Sequence, residues 1–416
     1  MESVFALPFR FQAGVEIFMK QEPLSVVIAR DRASSGGGIY NYYNAVAPHF
    51  HSEVTFSDVG RPYTFYGTHK SFGSRLLDYT PVRLVLDWLA LAAKIVRRWP
   101  KVVHINPCLD PPTYRSMRRD AVNILIGRFF RKPVLSFWRG WENAYSGLPE
   151  FPGGNDSWLC RTYKKASAQV VLSERFKDDL LRWGFQEPIY VETTVAADEC
   201  LKVTDRPPQG DKVRTNLLYL SRVEIAKGVF ELLDAYKILK ARNPAYTLTI
   251  AGDGPELQSL QDYAKKLELT DLTFTGFLTG KAKIECYQRG GVFCFMSYTE
   301  GMPNAVLEAL AMGLPMVSSD AGGLRDILRD GENGFIVPPL PNGELKKMFD
   351  PLAIANAIER LVNTPELHER IATINWRYAR QRFAAPVVAK RLEAIYQGLF
   401  SPATVRTQSV KPICAE

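Results

Sequence analysis

Short apolar runs alternating with stretches of helical spacing recur along the whole chain, and this alternation limits the fold more than any other feature. Leu24–Arg30 (LSVVIAR), Val54–Ser57, Val102–Asn106, Pro133–Trp138, Ala168–Ser173 and Ile189–Thr194 form one series. Asn216–Leu220, Thr247–Ala251, Leu272–Thr275, Val292–Met296 and Leu314–Ser318 form a second. Continuous apolar runs of this length suit strands covered on both faces, as in a parallel sheet flanked by helices. Helices are predicted near 76–98 and 112–130, after Pro303, over Pro351–Val362, and after Pro365 and Pro386. Between the two series lies polar Leu201–Thr215, with Pro207-Pro208 and Gly210, which reads as a linker. The pattern predicts an α/β protein of two doubly wound domains.

The 416 residues provide ample core for two or three domains, and 46% hydrophobic with 23% charged residues is ordinary for a globular chain. The longest apolar run, Leu84 to Val96, is broken by Asp87 and Lys94 and is too short and charged to span a bilayer. Met1 to Lys20 has no signal-peptide pattern. Six cysteines lack C-x-x-C spacing, so no metal framework is expected and reduced thiols in the cytoplasm are. The net charge of +8 admits nucleic acid, an anionic membrane or a phosphorylated substrate. Its densest part is Lys94 to Arg139, where Lys94, Arg97, Arg98, Lys101, Arg115, Arg118, Arg119, Arg128, Arg131, Lys132 and Arg139 are interleaved with Trp99, Phe129, Phe130, Phe137 and Trp138. That cluster fits a peripheral membrane contact at the inner face or, equally, a solvated face with core aromatics. No nucleic-acid-binding signature accompanies it, so no nucleic-acid partner is expected.

Three turns sit where strands of this kind present backbone N–H groups to phosphate. Ser34-Ser35-Gly36-Gly37-Gly38 follows the first strand, and a tight turn alone would explain it equally. Ser221-Arg222 and Lys227-Gly228 follow Asn216–Leu220, placing two cations five residues apart across one turn. Gly252-Asp253-Gly254-Pro255 follows Thr247–Ala251, without the third glycine of a dinucleotide fingerprint.

Tyr298 to Pro338 (YTEGMPNAVLEALAMGLPMVSSDAGGLRDILRDGENGFIVP) carries the sharpest chemistry. Pro303 is suited to a first helical position, and the helix is predicted to run to about Met312 and stop at Gly313. Glu300 lies in the loop before it and Glu308 on it, roughly 7–8 Å along the axis from Pro303. A helix N-terminus between two carboxylates favours an anion with hydroxyls on either side, which is the shape of a nucleotide-sugar. Two solvated surface glutamates would be the ordinary reading of such a pair.

The whole stretch nonetheless resembles, almost residue for residue, the donor-site signature of the retaining family 4 glycosyltransferases, which have the GT-B fold. Glu300 and Glu308 match its E-x7-E pair, Gly301-Met302-Pro303-Asn304 its loop, and Asp320-Ala321-Gly322-Gly323 its following turn. Arg222 and Lys227 match the family's R-x4-K, and Gly252-x-Gly254-Pro255 its G-x-G-P turn. The resemblance implies two Rossmann-like domains facing across a cleft: an acceptor-side domain over 1–200, a donor-binding domain over 216–385, and a last helix, 386–399, crossing back onto the first. It implies transfer of a sugar from a nucleoside-diphosphate sugar to an acceptor hydroxyl with retention, in cell-surface polysaccharide or glycolipid assembly. Glu300 would meet sugar hydroxyls and Glu308 the ribose. Arg222, Lys227, the Gly37–Gly38 loop and the N–H groups at Asn304 and Ala305 would hold the leaving diphosphate. No D-x-D pair is present, so no metal or other cofactor is expected.

One position departs from the resemblance. Where the family usually has His-Gly beside the anomeric carbon, this chain has Arg139-Gly140, followed by Trp141-Glu142, and no nearby histidine replaces it. Either the backbone there suffices and arginine keeps it, or imidazole is required and the reaction is altered. Arginine stays charged and so can hold an anion or stack on a ring. The expected acceptor is therefore a glycan or lipid carrying phosphate, such as a lipid-linked diphosphate sugar. Two other readings stay open: a glycoside hydrolase, which would also use two carboxylates, and a non-catalytic donor-binding subunit of a glycan assembly complex. His104, at a strand end, receives no catalytic role.

Overall fold

The computed structural model describes residues 24–31, 38–59, 80–109, 115–141, 147–186, 188–203 and 211–399. Two six-stranded parallel sheets organise them. The first contains β1 (Ser25–Asp31), β2 (Glu53–Val59), β3 (Val102–Ile105), β5 (Val134–Phe137), β7 (Ala168–Val171) and β8 (Ile189–Val191), in the order β2-β1-β3-β5-β7-β8. A separate two-stranded pair, β4 (Cys108–Leu109) with β6 (Gly140–Trp141), caps its C-terminal edge. The second sheet contains β9 (Asn216–Leu220), β10 (Thr247–Ala251), β11 (Leu272–Gly276), β12 (Val292–Phe295), β13 (Met316–Ser318) and β14 (Phe335–Ile336). Its order, β11-β10-β9-β12-β13-β14, reverses direction at β9/β12, so the loops after those two strands diverge and leave a crevice between them.

The interior strands are largely apolar because both faces are covered. Every residue of β3, β5, β7 and β12 is buried. Pairing keeps the apolar runs level, with Val26–Ala29 opposite Val102–Ile105. The fold is α/β with two Rossmann-like domains, the GT-B architecture.

The helix Ala385–Gly398 leaves the second domain and packs on the first. Arg391 binds Glu192 through Nε and Nη2 at 2.8 and 3.0 Å, and Glu393 accepts from both the backbone N–H and the hydroxyl of Ser52 at 2.7 Å. Tyr396 reaches His104 Nδ1 at 2.7 Å. The histidine is fully buried between Tyr43 and Tyr396, a structural node joining helix to sheet. Nearer the cleft, the Glu174 backbone N–H donates across the domain boundary to Asp326 at 2.9 Å.

Several expectations need adjusting. Pro303 is the residue before the helix, with extended backbone (φ −75°, ψ 121°), and the helix runs Asn304–Ala311. The expected linker contains a short helix, Asp211–Arg214, while 204–210 lie outside the described residues, as do Gly37 and the tail after 399. The cluster from Lys94 to Arg139 is not one outward face. Arg119 is buried against Asp120, Lys94 donates to the Phe56 carbonyl, and Phe137 and Trp138 are core. Arg97, Arg98, Arg118, Arg128 and Arg131 are exposed, together with Trp99 and Phe129. Among the described residues no helix is long and apolar enough to cross a membrane.

Candidate active site

A cleft of about 540 Å³ lies between the domains at the C-terminal ends of both sheets. Its second-domain wall comes from the loops after β9 (Ser221, Arg222, Lys227) and β12 (Glu300 to Ala305). Those strands flank the reversal point, so the topology itself brings the two loops together.

Lys227 Nζ donates to Glu300 Oε1 at 2.6 Å, with both side chains about nine-tenths buried. Arg222 also lines the cleft but pairs with Glu224 at 2.9 Å and is two-thirds exposed, so the two cations share the cleft without converging on one point. Between them opens the N-terminus of Asn304–Ala311. The first intrahelical donors are Val306 and Leu307, both bonded to the Pro303 carbonyl, which leaves the N–H groups of Asn304 and Ala305 without a helical acceptor. The loop before this helix is held by the turn Asp320–Gly323. Gly322 has φ +53° and passes so close that a Cβ would meet the Glu300 carbonyl at 1.6 Å, and Gly323 donates to Gly301 at 2.8 Å. A glycine is therefore required there for reasons of both conformation and space.

Glu308 stands elsewhere. It is 8% exposed and does not line the cleft. Oε1 accepts from Lys283 at 2.8 Å and Oε2 from Tyr287 at 2.9 Å. Burial opposes the charge of Lys283, but Glu308 and the groups beside it outweigh that and hold its pKa above the usual lysine value. Burial, and then Glu308, push the Tyr287 phenol well above its usual range. Gly252 and Gly254 do not line the cleft either. They back the loop Ser221–Val223, which leans on Ala251 and Asp253 through Ser221 and Val223 N–H groups.

The first-domain wall consists of Ile39, Arg139, Gly140, Trp141, Leu172 and Thr194. Gly38 opens the helix that carries Ile39. Arg139 follows β5, its N–H bonded to the Pro107 carbonyl at 2.9 Å. Its guanidinium lies 3.9 Å over the Tyr42 ring and 4.6 Å over Phe137. Burial lowers its pKa, though the neighbouring tyrosines work the other way. Gly140 passes against Cys108, whose sulfur would lie 2.0 Å from a Cβ, and this close approach lets β6 pair with β4. Trp141 is stacked on Phe176 (4.7 Å, 14°) and Trp183 (5.4 Å, 2°).

The sequence over 205–375, which includes the whole second-domain wall, matches the family model "Glycosyl transferases group 1". Over this segment the chain is similar to that family. Among curated relatives, the chain is 28% identical to alpha-D-kanosaminyltransferase of Streptomyces kanamyceticus over 56% of this chain and 61% of the relative. It is 27% identical to glycogen synthase of Mycobacterium tuberculosis over 66% of each chain. These alignments span less than two thirds of either relative. The structure of HepE from Anabaena in complex with UDP superposes over 90% of this chain and all of that one, with a TM-score of 0.66 and 15% identity, and so shares its fold.

Within this segment, the sequence signature picks out residues that line the cleft: Arg222, Lys227, Glu300, Gly301, Met302 and Pro303 from loops, and Asn304 and Ala305 from the start of the helix. It misses the partners of Glu308. Lys283 and Tyr287 lie four apart on the helix Gly280–Arg289, so one helix face carries both. That spacing was available, but nothing in it distinguishes a buried ammonium from a surface one.

Proposed function

We propose that this chain is a glycosyltransferase that moves a sugar from a nucleoside-diphosphate sugar to an acceptor hydroxyl with retention at the anomeric carbon. The observation that carries the reading is the buried Lys227–Glu300 pair beside the open N-terminus of Asn304–Ala311. A diphosphate there would meet the Asn304 and Ala305 N–H groups and the ammonium of Lys227, with Arg222 at the outer rim. These groups stabilise negative charge as it builds on the leaving diphosphate, and such preorganised electrostatics is often the largest catalytic contribution. Glu300 then accepts from donor sugar hydroxyls, and its charge is tolerated beside phosphate because Lys227 is bonded to it. No metal is needed in this scheme. The UDP held by HepE supports a nucleotide-linked donor, and the likeness to a kanosaminyltransferase supports sugar transfer.

Polysaccharide or glycolipid assembly at the cytoplasmic membrane face is part of the proposal. On the helix Thr80–Arg98, Val82, Val85, Leu86 and Leu89 are exposed at helical spacing, and Arg97, Arg98 and Trp99 are exposed at its end, where Lys132 stacks on Trp99 and exposed Phe129 and Arg131 are chain neighbours of that lysine. An apolar stripe with cations is suited to an anionic membrane surface. The test of the activity is a thermal-shift screen of nucleotide-sugars followed by assay of the stabilising donor with glycan and lipid-linked acceptors. Release of nucleoside diphosphate that depends on acceptor is the expected result. Equal release without acceptor would indicate hydrolysis, and donor binding without release under any condition would indicate a binding subunit.

A further inference from the structure

The first-domain wall of the cleft has hydrogen-bonding capacity that no described residue fills. Nε and Nη1 of Arg139, Nε1 of Trp141 and Oγ1 of Thr194 are shielded from water and without a hydrogen-bond partner, and all three residues line the cleft. Buried polar groups are seldom left in this condition, least of all a charged one. Tyr42 and Phe137 stabilise the guanidinium through their faces, and Tyr42 also favours its charge electrostatically, but Nε and Nη1 keep no hydrogen-bond partner. Among the described residues no carboxylate pairs with Arg139. Glu192, whose charge reaches the adjoining Tyr42, is already bound by Arg391 through two nitrogens.

The wall is also rigid. Trp141 is fixed between Phe176 and Trp183, and Arg139 is fixed through its backbone and two rings, so neither can swing away to satisfy itself elsewhere. We propose that Arg139, with Trp141 and Thr194, binds an anionic group, a carboxylate or a phosphate, carried by the acceptor or by the transferred sugar. The inference rests on the glycosyltransferase reading for what enters the cleft, but the anion site itself does not. The donor diphosphate has its own partners on the opposite wall, Lys227, Arg222 and the helix N-terminus. Arg139 is the cation of the facing domain, and a planar guanidinium suits a two-oxygen anion.

The test is ligand-observed NMR on the full chain with matched pairs, glucuronate against glucose and glycerol 3-phosphate against glycerol. At least one anion should bind about tenfold or more tighter than its neutral partner, and Arg139→Met should abolish that preference while Lys227→Ala keeps it. Preference for glucuronate alone identifies a sugar carboxylate, and preference for glycerol 3-phosphate alone identifies a phosphate. No preference for either anion in the wild-type protein overturns the proposal. So does a loss of nucleoside-diphosphate affinity in Arg139→Met equal to that in Lys227→Ala, which would assign Arg139 to the donor diphosphate. If no nucleoside diphosphate binds yet the anion preference stands, the donor reading fails and this one survives. Should Arg139→Met not fold, Arg139→Lys keeps the charge without the planar fork, and roughly threefold or more of the preference should go; none lost would count against the guanidinium.

Discussion

Lys227 and Glu300 form a buried ion pair, 2.6 Å from Nζ to Oε1, although they come from loops following different strands. The pair exists because β9 and β12 are neighbours in the sheet while their connections run to opposite sides. It places one positive and one negative group together at the mouth of a helix whose first N–H groups are open. A ligand with both phosphate and hydroxyl groups can engage each without leaving either charge unpaired.

Replacing Lys227 by alanine should weaken nucleoside diphosphate binding by roughly tenfold or more while changing free nucleoside binding little. A hydrogen bond to a charged group contributes about 1.5–3 kcal/mol, and only the diphosphate uses it. Isothermal titration calorimetry checks this, and unchanged diphosphate affinity would remove Lys227 from the donor site.

Activity should survive EDTA, because Lys227, Arg222 and the helix N-terminus carry the diphosphate charge in the proposed scheme. The measurement is the initial rate before and after chelation. A rate abolished by EDTA and restored by magnesium or manganese would contradict it.

The strands of both sheets are readable in the sequence because parallel strands buried on both faces are apolar along most of their length, as in VFCF of β12 and, His104 apart, VVHI of β3. Loop residues with special backbone needs are readable too, Gly322 being the clearest case. What the sequence conceals is the direction of side chains. Glu308 has the right spacing from Glu300 for a shared ligand, yet it turns away to Lys283 and Tyr287. Arg139 belongs to a basic run by count, but its strand carries it inward, onto Tyr42. Period and composition do not register either fact, since both depend on which helix or strand lies opposite.

Lys283→Met should lower stability more than an ordinary surface substitution, because it strands the Glu308 carboxylate. Breaking a fully buried pair costs about 3–5 kcal/mol; a fifth of the Lys283 side chain remains in water, so about 2 kcal/mol is expected. Adding Glu308→Gln should restore part of the loss. Urea unfolding of the single and double variants provides the comparison, and a double variant less stable than Lys283→Met would refute the coupling.

Binding to vesicles containing anionic lipid should occur at low salt and fall as salt rises, since exposed cations are screened over about 10 Å at 0.1 M. Charge reversal at Arg97 and Arg98 together should reduce it further. Sedimentation with vesicles decides the matter, and no association at low salt would exclude the membrane surface as a partner.

Acid should destabilise the protein through His104. Tyr43 donates its proton to Asn106 at 2.7 Å, so its oxygen must accept from His104 Nε2–H at 3.0 Å, and Nδ1 then accepts from Tyr396. A second proton on the ring would leave the Tyr396 hydroxyl without its acceptor and place a cation near Arg139. Burial foremost, and then the Arg139 charge, push the folded pKa down to about 3, against 6.5 for an ordinary histidine. The unfolded chain therefore takes up a proton at pH values where the folded one does not. The neutral ring's contribution is intact above about pH 6.5 and is lost progressively as pH falls toward 3, at about 1.4 kcal/mol per pH unit. His104→Gln cannot titrate at this position. The stability difference between wild type and this variant should therefore narrow as pH is lowered from 6 to 4.5, while groups common to both cancel. Unfolding free energies from denaturant titrations across that range supply the measurement. A difference that stays constant with pH would mean that the folded protein accepts the proton at His104.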